Sequence, residues 1–296
     1  MINRIPLRMN KKPVFRIIFA IWLICGLIPA EVFSSGKKNS FDLLRGRLVG
    51  DGFDKKRIDE IFGDPRAELN LEDVSLFFVH SEAKLNYGQF TSERSVAKAQ
   101  KYMTEHITEL KAAEKTYGVD KEIITAILLV ETRLGRIVGS SPIFNTLSTM
   151  ACVSDPGIRE DLWRSISDPG KLPRDRFEKK ADSKSAWAYK ELKAFIEYTE
   201  TEKFDPLDIS GSYAGALGIA QFMPTSILAY AKDGNNDDKI DLFNHSDAIA
   251  SIANYLKTFG WRPGIERKKA KKVIYYYNRS KYYVNTILKV SDLLRK

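Results

Sequence analysis

The sequence predicts a mainly α-helical globular bundle. Apolar residues recur at three- and four-residue spacings, convincing alternating strands are nearly absent, and no internal repeat divides the 296 residues. That length suits one large domain or two small ones, with ample chain for a core. A hydrophobic content of 44% and a charged content of 29% are ordinary for a globular protein.

The first element is a targeting segment. Arg4, Arg8, Lys11, Lys12 and Arg16 precede an apolar run over 17–30, and Ser34-Ser35-Gly36-Lys37-Lys38-Asn39 follows it. The run is short for a membrane span, which needs about 20 apolar residues. The order of basic, apolar and small polar residues predicts a signal peptide over 1–34. An uncleaved N-terminal anchor is the second alternative. Lipidation at Cys25 is the third, against which stands the bulk of Ile24. All three imply export. Five of the nine excess positive charges lie before Glu31, so the rest of the chain is only mildly basic. Such a chain can meet an anionic polymer or surface without gripping it hard, and nucleic acid is not an expected partner. Beyond the targeting segment Cys152 stands alone, so no internal disulfide forms and the thiol reads as a small buried apolar residue.

Residues 35–110 form a variable helical region, interrupted by Gly50, Gly52, Gly63 and Pro65. From Thr91 the pattern sharpens. Val96, Ala99, Met103, His106, Leu110, Ala113 and Tyr117 mark one face of a helix stopped by Gly118, with His106 as a core residue. A core domain follows over 111–296. Its first helix is predicted over 120–138, with Asp120 as N-cap and Val119 and Ile124 as a hydrophobic staple. Pro156, Gly157, Pro169, Gly170 and Pro173 predict a loop-rich insert over 154–185, and a helix follows over 186–200. Residues 211–221 are too rich in small residues to be a packed outer helix. Pro224 opens a helix to Tyr230, and helices over 247–259 and 273–294 complete the set. A basic linker over 262–272 reads as a solvated loop or as a contact to a membrane surface or anionic wall polymer.

Glu131 is the candidate for chemistry. At about 100° per residue it falls amid Ile124, Ile127, Leu128, Leu134, Gly135 and Val138, on an apolar helix face. Burial disfavours a charged carboxylate and produces an acid able to donate a proton near neutral pH. The bland alternative is a buried Glu paired with a distant Arg.

The run Ile127-Leu128-Leu129-Val130-Glu131-Thr132-Arg133-Leu134-Gly135-Arg136 resembles the catalytic-helix motif of the membrane-bound lytic murein transglycosylase B family. The resemblance continues, in the family's order, through Asn145-Thr146-Leu147-Ser148-Thr149, the loop from Gly211 to Gly218, and Gln221-Phe222-Met223-Pro224-Thr225-Ser226. It closes with the helix beginning at Asp247, with Gly260-Trp261 and with Tyr277-Asn278-Arg279-Ser280, covering most of 119–294. It implies a lysozyme-like core and non-hydrolytic cleavage of the MurNAc–GlcNAc bond of peptidoglycan, leaving a 1,6-anhydro-MurNAc end. Glu131 would serve as the one acid/base, where ordinary glycosidases use paired carboxylates. The resemblance also implies substrate contacts from Ser212, Gln221, Tyr255, Tyr277 and Asn278, with core packing as the alternative for both tyrosines. Two departures are visible: Leu134 replaces an aromatic residue common beside the glutamate, and Ile219-Ala220-Gln221 stands where a glycine is common.

The run Asp233-Gly234-Asn235-Asn236-Asp237-Asp238-Lys239-Ile240-Asp241 puts oxygens at EF-hand positions one, three, five and nine. Position six holds Asp238 instead of glycine, and position twelve holds Asn244 instead of glutamate. The family carries a modified EF-hand-like site here with a later closing carboxylate, matched by Asp247. The implied ligands of one structural Ca²⁺ are Asp233, Asn235, Asp237, the Lys239 carbonyl and Asp247; the alternative is an acidic turn that binds nothing. No cofactor is expected for the chemistry itself. Two rivals remain, a hydrolytic muramidase with the same Glu131 and a catalytically idle wall-binding scaffold.

Overall fold

The structure, a computed structural model, describes residues 40–79, 86–166 and 172–296, all within one compact unit. The 1–34 targeting segment lies outside the described residues. Among them no helix is long and apolar enough to cross a membrane.

Three short helices begin the unit: α1 (Asp42–Gly50), α2 (Lys55–Gly63) and α3 (Leu71–Val79). Asp54 caps α2 by accepting the Arg57 N–H. Phe41, Phe62 and Phe144 follow one another in ring contact at 5.2 and 4.9 Å, which seats α1 and α2 on the interior.

The helix predicted from Thr91 to Tyr117 is two helices, α4 (Glu93–Glu105) and α5 (Ile107–Tyr117). The break is His106 (φ −112°, ψ 29°), whose ring packs between Tyr102 and His245 at 4.3 and 4.5 Å. Periodicity survives such a one-residue break because the apolar stripe continues on both sides. Gly118 closes α5 in the left-handed region, as its position predicts.

The next helix, α6 (Lys121–Thr132), is buried on nearly every side from Glu122 to Leu129. Asp120 precedes it but does not cap it: its carboxylate accepts from Trp261 Nε1 at 3.0 Å and pairs with Arg295. The Glu114 carboxylate takes the Lys121 N–H instead. The prediction of a helix to Val138 fails, because Arg133, Leu134 and Gly135 take φ of 51°, 66° and 83° in succession. The Arg133 and Leu134 N–H groups fold back to the Leu129 and Leu128 carbonyls, and Thr132 Oγ accepts the Gly135 N–H while donating to the Ile219 carbonyl. Side-chain periodicity carries no trace of this turn, which costs roughly 1 kcal/mol or more at each non-glycine position. A Cβ on Gly135 would lie 3.0 Å from His245 Cε1, so a side chain there would press on His245 as well as strain the backbone.

The chain then pairs β1 (Ser141–Pro142) with β2 (Ser210–Gly211) in an antiparallel ladder. Gly139 allows this approach, since a Cβ there would meet the Gly211 carbonyl oxygen at 2.1 Å. Between the strands run α7 (Ile143–Ala151), every residue of which is buried, α8 (Pro156–Ser165) and the 28-residue α9 (Arg174–Thr201), which packs along α7. The insert predicted as loop-rich over 154–185 is therefore mostly helical. Its Pro156 is an N-terminal helix residue behind the Asp155 cap, and Pro173 immediately precedes α9.

Pro224 opens α10 (Pro224–Tyr230), whose Thr225 is held by the buried Glu191. It is followed by α11 (His245–Thr258), α12 (Arg267–Tyr277) and α13 (Lys281–Leu294). The single helix predicted over 273–294 is thus divided at Asn278-Arg279-Ser280, with Ser280 capping α13. Most of the basic segment over 262–272 is the start of α12 and not a loop; Ala270, Val273 and Ile274 are buried while Lys268, Lys269, Lys271 and Lys272 remain exposed. α13 packs directly on α6 and closes the core around the helix that bears Glu131.

Candidate active site

Glu131 occupies the last turn of α6 and lines a cleft of about 620 Å³. Ser212, Tyr213, Gln221, Tyr277 and Asn278 line it as well, together with Phe77 and Phe78 of α3 and Lys180 and Lys184 of α9. Four of the five substrate contacts expected from the sequence thus share one cavity with the glutamate. Among the described residues lining it, Glu131 is the only carboxylate.

A hydrogen-bond partner of Glu131 was missed in the sequence. Tyr283, fully buried in the first turn of α13, donates its phenol to Glu131 Oε1 at 2.6 Å. Burial and the negative Glu131 push this phenol well above its ordinary value of 10.0, so it keeps its proton and acts as a donor. Tyr277 lies parallel to it, with centroids 6.4 Å apart, and donates to the Ala220 carbonyl at 2.5 Å. The same causes push the Tyr277 phenol well above its ordinary range. A tyrosine among Val284, Ile287 and Leu294 on the apolar face of α13 was the available signal for Tyr283.

The loop before α10 is closed on itself by backbone bonds. Ser212 N–H donates to the Ala216 carbonyl, and Leu217 and Phe222 exchange a pair of bonds. Ser212 Oγ accepts from the Ala214 and Ala216 N–H groups, which leaves its own proton to donate outward. Gln221 sits in the left-handed region at φ 51°, and its Nε2 donates to the Val138 and Gly218 carbonyls at 3.0 and 2.9 Å. Gln221 therefore holds the turn after α6 against this loop as well as lining the cleft. The Asn278 side chain has no hydrogen-bond partner among the described residues.

Tyr255 departs from expectation. It is buried beneath the cleft, its hydroxyl donates to the Tyr276 carbonyl at 2.8 Å, and its ring contacts Phe222, Tyr230, Phe259 and Tyr277. It does not line the cavity; it supports Tyr277, which does. It shares the buried side of α11 with Ile252 and Leu256, the core packing that was its alternative.

The acidic loop between α10 and α11 has the curvature that its EF-hand spacing suggests. Asn236 and Asp238 take φ of 61° and 63°, so Asp238 adopts the left-handed conformation for which glycine is usual. Asp233 Oδ1 accepts N–H groups from Asn235, Asn236 and Asp237, and Asp237 accepts from Asn235 Nδ2 and the Lys239 N–H. Asp247, buried in the first turn of α11, accepts from the Gly234 and Asp241 N–H groups. Burial raises the Asp247 carboxyl above its usual range, opposed by those two bonds and aided by Asp233 and Asp237. The acids thus feel one another, yet among the described residues no three His, Cys, Asp or Glu side chains are gathered closely enough to hold a metal. The donor chemistry and the turn fit a hard cation; the carboxylates are held by backbone N–H groups.

An acid on the last turn of a central helix, over a small antiparallel ladder in an otherwise α-helical domain, is a lysozyme-like arrangement. The chain matches the transglycosylase SLT domain family over residues 36–270 and belongs to it. It is 31% identical over 224 residues to membrane-bound lytic murein transglycosylase B of Escherichia coli strain K12, which covers 72% of this chain and 55% of that relative. The chain therefore spans about 55% of the length of this curated relative. Its fold is similar to soluble lytic transglycosylase SltB1 of Pseudomonas aeruginosa (TM-score 0.67, 24% identity, 85% of this chain and 97% of that one). It is also similar to E. coli lytic transglycosylase Slt35 in complex with calcium (TM-score 0.66, 21% identity, 89% and 94%). At these identities the two structures speak for the fold.

Proposed function

We propose that this chain is a peptidoglycan lytic transglycosylase that cuts the MurNAc–GlcNAc β-1,4 bond with Glu131 as its sole acid/base. The observation that carries the reading is the cleft: one carboxylate, set on a phenol that keeps its proton, among amide, hydroxyl and aromatic groups suited to a glycan. Protonated Glu131 gives its proton to the glycosidic oxygen, and the bond from that oxygen to the muramyl C1 breaks. The resulting carboxylate then takes the proton of the muramyl 6-hydroxyl as that oxygen bonds to C1, closing the 1,6-anhydro ring. Glu131 ends protonated, as it began, and no water is consumed. Tyr283 fixes the carboxyl through Oε1. Ser212, Gln221, Tyr277 and Asn278 line the path of the strand, and Tyr255 supports Tyr277 from below.

The test is mass spectrometry of the products from purified peptidoglycan. Anhydro-muropeptides without a reducing end are expected. Reducing muropeptides would make the chain a hydrolytic muramidase, and no soluble product would leave the wall-binding scaffold.

Two further roles belong to the same reading. The 233–247 loop takes one structural Ca²⁺ on Asp233, Asn235, Asp237, the Lys239 carbonyl and Asp247, outside the chemistry. What supports it is the left-handed turn at Asp238 and the buried Asp247 carboxyl that feels two neighbouring acids. The chain works outside the cytoplasm, in the periplasm or cell envelope, on the support of the basic-apolar-polar order of residues 1–39 and of an E. coli relative named as membrane-bound. The exposed lysines of α12 face an anionic wall polymer or membrane surface there.

A further inference from the structure

A second cavity, of about 640 Å³, shares no lining residue with the Glu131 cleft. Leu129 lines it and Glu131 does not, and two positions along a helix lie about 200° apart around its axis. The cavity is therefore on the far side of α6. The 3₁₀ turn Tyr87–Thr91, α4, the left-handed turn after α6 and His245 at the start of α11 enclose it. Its rim carries Lys98, Lys101, Arg133 and Arg136 against one acid, Glu105, which is already paired with Lys101 at 3.4 Å. Lys98 and Arg136 make no ion pair or side-chain hydrogen bond with a described residue, and Arg133 donates to the neutral amide oxygen of Gln89 at 2.7 Å. Phe90, Leu129, Leu134 and Ile137 give the cavity an apolar side, and Ile137 stays 58% exposed. His245 adds a fixed donor. Burial pushes the Tyr102 phenol above its ordinary range, so it keeps its proton, and its hydrogen bond is to His245 Nδ1 at 2.9 Å. The phenol donates and Nδ1 accepts, which puts the imidazole proton on Nε2, where no described residue takes it. Burial and the adjoining His106 ring hold His245 below its ordinary range, against the pull of Glu109, so the ring is mostly neutral at pH 7.

We propose that this cavity binds a phosphate-bearing amphiphile, its phosphate among Lys98, Lys101, Arg133 and Arg136 and its apolar part against Phe90 and Ile137. Phosphate is the anion that these donors fit. A carboxylate is planar and is satisfied by one forked guanidinium, whereas a phosphate carries up to two charges and spreads its oxygens toward donors arriving from several sides. A bare phosphate leaves Phe90 and Ile137 uncovered. A neutral apolar ligand leaves four like charges facing one another and the His245 Nε2–H unpaired. The volume is that of a small-ligand site. The site stands apart from the glycan reading, since the bond to be cut lies at Glu131, in the other cavity. A membrane phospholipid and a soluble phosphorylated molecule share the chemistry it recognises.

The test titrates octyl phosphate, inorganic phosphate and neutral octyl glucoside into the full chain by calorimetry, at fixed ionic strength and below micelle formation. Octyl phosphate should bind roughly tenfold tighter than either of the others. Lys98→Ala and Arg136→Ala, at exposed positions without a protein partner, should each weaken octyl phosphate and inorganic phosphate roughly three- to tenfold. Ile137→Ser should weaken octyl phosphate by a similar factor and leave inorganic phosphate unchanged. Glu131→Gln should leave both affinities unchanged, because Glu131 lines the other cavity. Flotation with phosphatidylcholine vesicles, with and without phosphatidic acid, separates the two sources. Capture that needs phosphatidic acid and is lost in Arg136→Ala assigns the phosphate to a membrane lipid; octyl phosphate binding without such capture assigns it to a soluble ligand. Equal affinity for octyl phosphate and octyl glucoside, or wild-type affinity for octyl phosphate in both cation variants, would overturn the site.

Discussion

Two linings meet in the Glu131 cleft, and they are made differently. The loop that carries Ser212 and Gln221 is fixed by its own backbone: paired N–H and carbonyl groups, a serine oxygen that accepts twice, and Gln221 in a left-handed conformation tied to two carbonyls. Phe77, Lys180 and Lys184 belong instead to helix faces, where a side chain changes without disturbing the backbone beneath it. A lining built from backbone geometry fixes where the reacting bond lies, and a substitution there changes position and stability together. A lining built from helix faces adjusts which strand is accepted at little cost to the fold. The difference predicts that damage to rate will concentrate around α6 and its loop, while damage to selectivity will concentrate on α9.

The largest effect should come from Glu131→Gln. The amide keeps nearly the same shape and still accepts from Tyr283, but it exchanges no proton, so turnover should fall by about 10²–10⁴-fold or more with the melting temperature preserved. A variant retaining a tenth of wild-type turnover would remove Glu131 from the acid/base role. Tyr283→Phe is next. It deletes the 2.6 Å bond to a carboxylate oxygen, and kcat should drop roughly 10- to 100-fold. Because burial and Glu131 push the Tyr283 phenol well above 10.0, its ionisation should add no alkaline limb to the wild-type rate below about pH 10. A loss of activity fully explained by a lower melting temperature would make Tyr283 a packing residue only.

The helix class, Glu131 and the loop with Ser212 and Gln221 were legible because they leave local traces: period, small-residue runs, and motif order. The end of α6 was not. Nothing in the spacing of Leu134 and Val138 says that Arg133, Leu134 and Gly135 turn left-handed, because the same apolar pattern suits a longer helix. The contacts that Tyr283 and Lys184 make were illegible for another reason. Tyr283 reaches Glu131 because α13 packs on α6, Lys184 reaches the cleft beside Phe77 of α3, and a single sequence does not print which helix faces which. Tyr255 differs again: the resemblance implied a substrate contact with core packing as the alternative, and its ring lies inside with its hydroxyl on the Tyr276 carbonyl.

Asn278→Ala and Gln221→Ala sharpen the contrast between a residue that only lines the cleft and one that also holds it together. Asn278 has no hydrogen-bond partner among the described residues, so its removal should lower kcat/KM by about tenfold and leave the melting temperature unchanged. Gln221 donates to two carbonyls, so its removal should lower activity and also cost about 1–2 kcal/mol of stability, a few degrees in melting temperature. Thermal unfolding beside steady-state kinetics separates the two. Identical melting temperatures for both variants would contradict the bracing role of Gln221.

The smallest effect lies farthest from the chemistry, in the 233–247 loop. Here carboxylates are satisfied by backbone N–H groups, and Asp247 is buried within reach of the Asp233 and Asp237 charges. A cation drawn onto these oxygens would offset that repulsion and stabilise the folded state by mass action, about 2.7 kcal/mol at a hundredfold excess over Kd. Affinity should be weak, since the oxygens must first leave part of their N–H bonds and no glutamate closes the site at its usual place. Titrating Ca²⁺ into chelator-treated protein should therefore raise the melting temperature by a few degrees only toward millimolar concentrations, with kcat little changed. Asp237→Ala should abolish the rise while keeping the metal-free melting temperature close to that of the wild type, because Asp237 is exposed. A wild-type melting temperature that stays flat through millimolar Ca²⁺ would leave this loop as an acidic turn held by its own backbone.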